Sequence, residues 1–466
     1  MKIPLMKKML LSLALLICVP VFGQGEQETG LDRYVKAPDP AYKWSLVKTI
    51  PGDGVTAYVL DMTSQAWLTA NEVDRPEWKH WVIVYKPETL KHSTALLMIG
   101  GSSNDSPGPA KHDQFFAQTS RKTSSVTIEL RMVPNQPLSF FGESRKRTED
   151  AIIAMNWMKH METGDDKWAT RLPMTKAAVR AMDAASEFLK SDAGGGVTVD
   201  KFVVTGGSKR GWTTWTTGIV DKRVVAIMPV VIDLLNVVPS FMHHWRAYGF
   251  WAPAVGDYVE HGVMDKFNTP EFARLMKLVE PYEYRGRLTM PKFMVNSAGD
   301  QFFLPDSWQF YWNDLKGEKY LRYVPNSDHG VTRRTDAGDS LAAYYASIIN
   351  NWKRPEFDWS IDKEGTITVK SQVKPLAVKL WQANNPDARD FRLEKIGPAY
   401  KSTDLAETAP NTWVVKAPAV EKGFTAYFVE LTYQAPEQML WKFTTGVKVM
   451  PDVYPFPAPQ AVNAAK

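Results

Sequence analysis

A chain of 466 residues, 44% of them hydrophobic and 23% charged, with a formal net charge of +5, has the make-up of a globular protein and not of a disordered one. Its length suggests two or three domains. One cysteine, Cys18, excludes a disulfide framework and a cysteine-built metal centre, and the lysines and arginines are interleaved with acids, which argues against a nucleic-acid-binding surface.

In chain order, the first segment reads as an address. Lys7 and Lys8 precede an apolar run over residues 9–19, and Val21-Phe22-Gly23 leads into a polar stretch. This is the pattern of a secretory signal peptide over residues 1–23. The run falls short of the roughly 20 residues that a spanning helix needs. Cys18 follows Ile17, where a lipid-attachment motif wants a small residue. Cleavage near Gly23 removes Cys18, and with Lys2, Lys7 and Lys8 and no acid it takes the net charge from +5 to +2. The expectation is an exported protein, periplasmic or secreted, with no stable membrane insertion after cleavage.

From residue 31 to 86 the chain reads as extended segments broken by turns, with β-rich runs at 55–60 and 81–85. Strand–helix alternation follows. Apolar strands are predicted at 95–99, 125–130, 201–205, 224–232, 293–296 and 320–324, with helices over 148–159 and, after Pro173, over 175–189. Continuous apolar strands alternating with helices predict a mostly parallel sheet covered on both faces, in a domain spanning 31–354. Between about 234 and 290 the alternation stops, and Phe241, His243, His244, Trp245, Tyr248 and Trp251 crowd the segment. It reads as a lid insertion over the strand ends. Past Pro355, short β-type runs at turn-separated intervals predict a β-sandwich domain over 355–450, and a Pro/Ala-rich flexible tail over 451–466.

The chemistry concentrates at Val203-Val204-Thr205-Gly206-Gly207-Ser208-Lys209-Arg210-Gly211. A strand stops, glycines permit a sharp turn, a serine occupies the apex and a helix begins, which is the setting of a nucleophile elbow. The usual G-x-S-x-G spacing is stretched by one, with Arg210 at the second small position and glycine at 211. Phosphate-loop and dinucleotide-binding glycine spacings are absent. An α/β-hydrolase supplies serine, then acid, then histidine along the chain. Asp300 follows the strand at 293–296, and His329 follows the strand at 320–324. Asp306 shares the acid loop, but Asp300 stands closer to the strand end. Asp328 reads as a turn cap, and Asp233, after the strand at 224–232, is a more distant alternative acid. An oxyanion hole needs two backbone N–H groups. Lys209, next after the nucleophile, and Gly101 or Ser102, in the glycine loop after the first parallel strand, are the candidates.

Several segments resemble the PhoPQ-activated pathogenicity-related protein family: Gly206-Gly207-Ser208-Lys209-Arg210-Gly211-Trp212, Pro291-Lys292-Phe293, Gly299-Asp300-Gln301-Phe302-Phe303-Leu304-Pro305-Asp306-Ser307, and the run from Gly317 through Asn326. The resemblance covers nearly the whole chain after the signal, from about Tyr34 to beyond Tyr433. It departs at Gln301, where the family has Glu, and at Glu280, where it has Asp. It implies an exported α/β-hydrolase-like protein without an assigned substrate. The Gly-x-Ser-x-x-Gly turn is also similar, over a shorter stretch, to that of esterases acting on glucuronoyl esters.

The expected function is acyl hydrolysis, with Ser208 as nucleophile, His329 as base and Asp300 orienting the imidazole, and with no metal or cofactor required. A peptidase on the same fold and a non-catalytic binding or virulence-associated protein are the competing readings. Expected partners are a small-molecule, peptide or glycan substrate. Lys209 and Arg210 place two cations near the elbow, which would favour an acidic substrate, although helix starts often carry exposed charges.

Overall fold

The computed structural model describes residues 28–459, so the expected signal segment 1–23 lies outside the described residues. Its centre is a nine-stranded sheet in the order β1-β2-β3-β5-β4-β6-β7-β8-β9. The strands are β1 (Lys43–Ile50), β2 (Val55–Ala66), β3 (Glu77–Pro87), β4 (Thr94–Ile99), β5 (Thr127–Leu130), β6 (Lys201–Gly207), β7 (Val224–Val230), β8 (Lys292–Ser297) and β9 (Lys319–Val324). The strands β1–β3 are antiparallel, and from β5 to β9 every neighbouring pair is parallel.

Side-chain alternation explains the two apolar faces of the parallel strands. Leu97 and Val204 pack with helices α1 (Gly30–Lys36), α3 (Glu149–Thr163), α4 (Arg171–Lys190) and α5 (Lys209–Val220). Leu96 and Val203 point the other way, to Leu341 and Tyr344 of the last long helix, Ala337–Ile349. A further helix, α2 (Gln114–Thr123), covers the β3 and β5 side with Phe116 against Tyr85. Two differences from the sequence reading have local causes. The stretch 30–36 is helical, because Thr29 and Asp32 form a capping box. Helix α4 starts at Arg171, two residues before Pro173, since a proline in the first turn has no intrahelical N–H bond to lose.

The segment between β7 and β8 is a helical insertion containing α6 (Val237–Tyr248), α7 (Gly256–Glu260) and α8 (Pro270–Val279). After it and the helix 337–349, here α9, come two antiparallel sheets. One joins β10 (Phe357–Ile361), β11 (Ile367–Ser371) and β14 (Thr412–Val415). The other joins β12 (Ala377–Asn385), β13 (Lys401–Asp404), β15 (Phe424–Gln434), β16 (Leu440–Thr444) and β17 (Lys448–Met450). These sheets share a core with the large one. Phe443 stacks on Tyr320 of β9 at 4.2 Å and meets Phe293 of β8 edge-on at 5.5 Å, and Tyr323 N–H donates to Thr444 Oγ1 at 3.0 Å. The end of the chain, where composition suggests a flexible tail, rests on α6 as far as it is described. Tyr454 O–H is 2.8 Å from His243 Nδ1, and Arg246 lies over the Tyr454 ring at 3.8 Å. Among the described residues no helix is long and apolar enough to cross a membrane.

The shared core has a testable consequence. Phe443→Ala is expected to cost about 3–5 kcal/mol and to shift one urea-unfolding transition that carries both the large sheet and the C-terminal sheets. A variant that loses only a separate, C-terminal transition would show that the sheets fold apart.

Candidate active site

Ser208 stands between β6 and α5 with φ +58° and ψ −126°, a left-handed backbone on a residue with a Cβ. Such a conformation costs about 1–3 kcal/mol and persists where its surroundings over-determine it. Here the Ser208 N–H donates to Val230 O on β7 at 2.8 Å, and Ser208 O accepts from Trp212 N at 3.0 Å. Two glycines let the pieces close up. A Cβ on Gly206 would lie 2.7 Å from Arg210 O, and one on Gly211 would lie 2.8 Å from Ile232 Cγ2 and 2.9 Å from Val230 O. The closest approach of helix to strand therefore falls at 211, which is why the glycine spacing is stretched by one and position 210 can carry a long side chain.

The loops after β8 and β9 bring Asp300 and His329 together. The imidazole Nδ1 donates to the Asp300 carboxylate at 2.8 and 2.9 Å, and the same carboxylate accepts from Phe302 N at 2.7 Å. Asp300 is buried, while His329 is partly exposed. The His329 N–H donates to Gln301 Oε1 at 2.8 Å. An amide oxygen accepts that bond as a carboxylate would, so the glutamine at 301 keeps the contact. The Phe302 ring packs on the imidazole at 4.3 Å and also lines the cavity that contains Ser208. The opposite ring nitrogen, Nε2, is buried and has no hydrogen-bond partner among the described residues. No bond to Ser208 is formed, as is frequent for nucleophile–base pairs outside the reacting complex.

The other carboxylates named from the sequence do different work. Asp306 accepts from His243 Nε2 of α6 at 2.8 Å and from Arg389 Nη2 at 2.5 Å. Burial would raise its pKa, but Arg389 and His243 outweigh burial and hold it well below the usual carboxylate range. Asp328 caps its own turn through Gly330 N at 2.8 Å. Asp233 accepts from Tyr311 O–H at 2.6 Å and Tyr323 O–H at 2.5 Å, and burial pushes it up to about 8. A carboxyl that stays protonated at neutral pH is unsuited to stabilising an imidazolium.

Gly101 lines one groove with Gly100, Gly206, Gly207, Arg210 and His329, in a cavity of about 620 Å³. Ser102 is not in that wall; its Oγ is buried without a partner among the described residues. Lys209 Nζ pairs with Glu149 at 2.8 Å and Asp150 at 3.1 Å, and Arg210 pairs with Glu149 at 2.7 Å while its Nε donates to Val133 O at 2.5 Å. Both cations are thus paired with acids, although Arg210 lines the groove and Lys209 lines the cavity that contains Ser208. Sequence reasoning missed Glu149. Burial would raise its carboxyl, but Arg210 and Lys209 overcome this and pull it down to about 2. It also accepts from Gln136 Nε2 at 2.7 Å, and Gln136 N donates to Asn104 Oδ1 at 2.8 Å. The elbow is thus tied to the loop that carries Gly101. Glutamate after a helix-opening threonine looks like an ordinary first-turn acid, and nothing local marks it out.

The sheet order, the elbow on β6 and the acid and histidine loops after β8 and β9 define the α/β-hydrolase class of fold. The chain belongs to the family of PhoPQ-activated pathogenicity-related proteins, which it matches over residues 31–392. It is 37% identical to autocrine proliferation repressor protein A of Dictyostelium discoideum, over 98% of this chain and 97% of that one. Among solved structures, acetyl xylan esterase from Paenibacillus sp. R4 is similar at 14% identity, over 70% of this chain and 96% of that one, with a TM-score of 0.48. The acylaminoacyl peptidase of Pyrococcus horikoshii is similar at 13% identity, over 65% and 49%, with a TM-score of 0.39. Scores this low leave the class resting on the chain's own sheet and loops.

Two substitutions separate the carboxylates. Asp306→Asn should destabilise the fold by about 3–5 kcal/mol, because it leaves Arg389 buried without its counter-charge; urea denaturation reads this directly. An aspartate ionises at roughly 3.9 in an unfolded chain, whereas Asp233 keeps its proton to about 8. Between those values the folded state binds more protons, so Asp233 makes stability fall as pH rises. Asp233→Asn should flatten that slope, and an unchanged slope would contradict a protonated Asp233.

Proposed function

We propose that this protein is an exported serine hydrolase that cleaves an ester or related acyl bond. The observation that carries the reading is the strained Ser208 elbow beside a bonded Asp300–His329 pair. With Nδ1 donating to Asp300, the neutral imidazole presents Nε2 as an acceptor. It takes the proton of Ser208 as Oγ attacks the carbonyl, and Asp300 stabilises the resulting imidazolium. The Lys209 N–H and an N–H of the Gly101 loop receive the oxyanion. His329 then protonates the leaving group, and water releases the acyl group by the reverse sequence. The first 23 residues act as the export signal.

A second reading, a binding or signalling protein of hydrolase shape, has one support: the relative from Dictyostelium is named a proliferation repressor. Covalent labelling separates the two. A serine-directed fluorophosphonate should label the folded protein at Ser208, and Ser208→Ala should abolish labelling without loss of fold. His329→Ala and Asp300→Asn should each slow labelling by roughly 10²- to 10⁴-fold, the usual worth of a general base. Folded wild-type protein that resists the probe would sink the enzymatic reading and leave the second.

A further inference from the structure

Two hollows at the elbow differ sharply in size. Ser208 lines a narrow cavity of about 30 Å³, walled by Trp212, Leu234, Phe241, Tyr258 and Phe302, with Asp150, Arg171 and Lys209 also in its lining. Gly207, next before Ser208, lines the open groove of about 620 Å³, which contains His329 and Gly101, with Asp113, Glu129 and Arg333 in its lining. Given the hydrolase reading above, on which this inference rests, chemistry assigns each side. The leaving group takes its proton from His329, so it must sit on the side of the imidazole. That side is the groove. The acyl group points away from the base, toward the narrow cavity that Ser208 lines.

Size then sets the substrate. A water needs roughly 10–15 Å³, so the narrow cavity has room for about two small heavy-atom groups. The cavity cannot widen cheaply. Phe241 is packed by Phe267 and Trp251 at 5.6 and 6.0 Å, Trp212 donates to Val279 O at 2.7 Å, and Tyr258 O–H donates to Asp150 at 3.0 Å. The groove is open and carries charged side chains, which suits a bulky, hydroxyl-rich alcohol better than an apolar chain. We propose that the substrates are acetate esters of bulky polar alcohols. The Ser208 Oγ–acetyl bond forms as the alkoxide leaves and takes the proton from His329 Nε2. Water then gives its proton to His329, attacks the acetyl-serine, and releases acetate as Ser208 regains its proton.

The test is a series of 4-nitrophenyl esters with acetyl, butyryl and octanoyl groups. We expect kcat/KM to fall by roughly 10- to 200-fold for each methylene that the pocket rejects, and an acetylated hexose to be hydrolysed in preference to hexadecyl acetate. Phe241→Ala should shift the optimum to butyryl. Leu234→Ala, a smaller cut in the same wall, should raise butyryl over acetyl in the same direction if the larger change does not fold. Ser208 labelled by a fluorophosphonate, but with octanoyl cleaved as well as acetyl, would overturn the short-acyl inference and leave the hydrolase standing. Hydrolysis of hexadecyl acetate in preference to the acetylated hexose would overturn the assignment of the groove. A folded protein with no labelling and no turnover of any ester would remove the reading beneath both.

Discussion

A residue with a Cβ held at φ +58° has to be forced there, and the architecture around Ser208 supplies the force. The N–H is committed to Val230 O on β7, and the carbonyl already starts α5. Gly206 and Gly211 allow strand, turn and helix to approach more closely than any Cβ would permit. The helix is pinned in turn by its first two side chains, since Lys209 and Arg210 both run to Glu149. Because Glu149 also holds Gln136, and Gln136 holds Asn104, the loop bearing Gly101 is set by the same acid that sets the elbow. The cations beside Ser208 therefore serve geometry. They leave the charge of the substrate to be decided elsewhere in the groove.

The acid loop repeats this economy with two carboxylates six positions apart in one stretch. Asp300 is turned to His329. Asp306 is turned away from it and joins His243 of the insertion to Arg389 beyond β12, with Tyr454 on the far side of the imidazole. A buried charge cluster adds little net stability over an apolar one of the same shape, but removing one member is costly. Its consequence here is positional. Insertion, acid loop, C-terminal sheets and chain end meet at one carboxylate, so the walls of the Ser208 cavity are referred to the same frame as Asp300.

Much of this was legible in the sequence, and what was not legible has a common cause. Continuous apolar strands marked the parallel sheet, and the loop that follows each strand end named Ser208, Asp300 and His329 in order. Those signals are local: a strand, a turn residue, a polar side chain within a few positions. The choice between Asp300 and Asp306 was a matter of distance from the strand end, while its physical reason, Arg389 and His243, lies 83 and 63 positions away. Glu149 was invisible because its partners return from 60 positions later. The helix at 30–36 was missed for a smaller reason, since its capping box closes with aspartate in place of the usual glutamate or glutamine. Composition, from which a flexible tail is expected, registers Pro and Ala but not the Tyr454 hydroxyl beside His243 or the Phe456 N–H that donates to Arg246 O of α6.

The C-terminal sheets are easily read as an appendage, yet the site cannot be described without them. Gly299, immediately before the acid, accepts a bond from Leu393 N at 2.9 Å, and a Cβ at that glycine would lie 2.7 Å from Ser327 O. Acid loop, histidine loop and the segment 389–400 therefore pack backbone to backbone. On the histidine side, Asn326 exchanges bonds with the backbone of Tyr400, donating to its carbonyl and accepting from its N–H at 2.9 Å each. The family match ends at Arg392, well past the helix that closes the large sheet and just beyond the arginine that pairs with Asp306. A hydrolase sheet cut at its own last helix would keep Ser208 on its elbow but would lose the partners that fix the loops of Asp300 and His329. Those loops need fixed partners because an imidazole can act as a base toward Ser208 only within hydrogen-bond reach and in the right tautomer. The segment after β12 thus fixes two loops that the sheet alone leaves without partners.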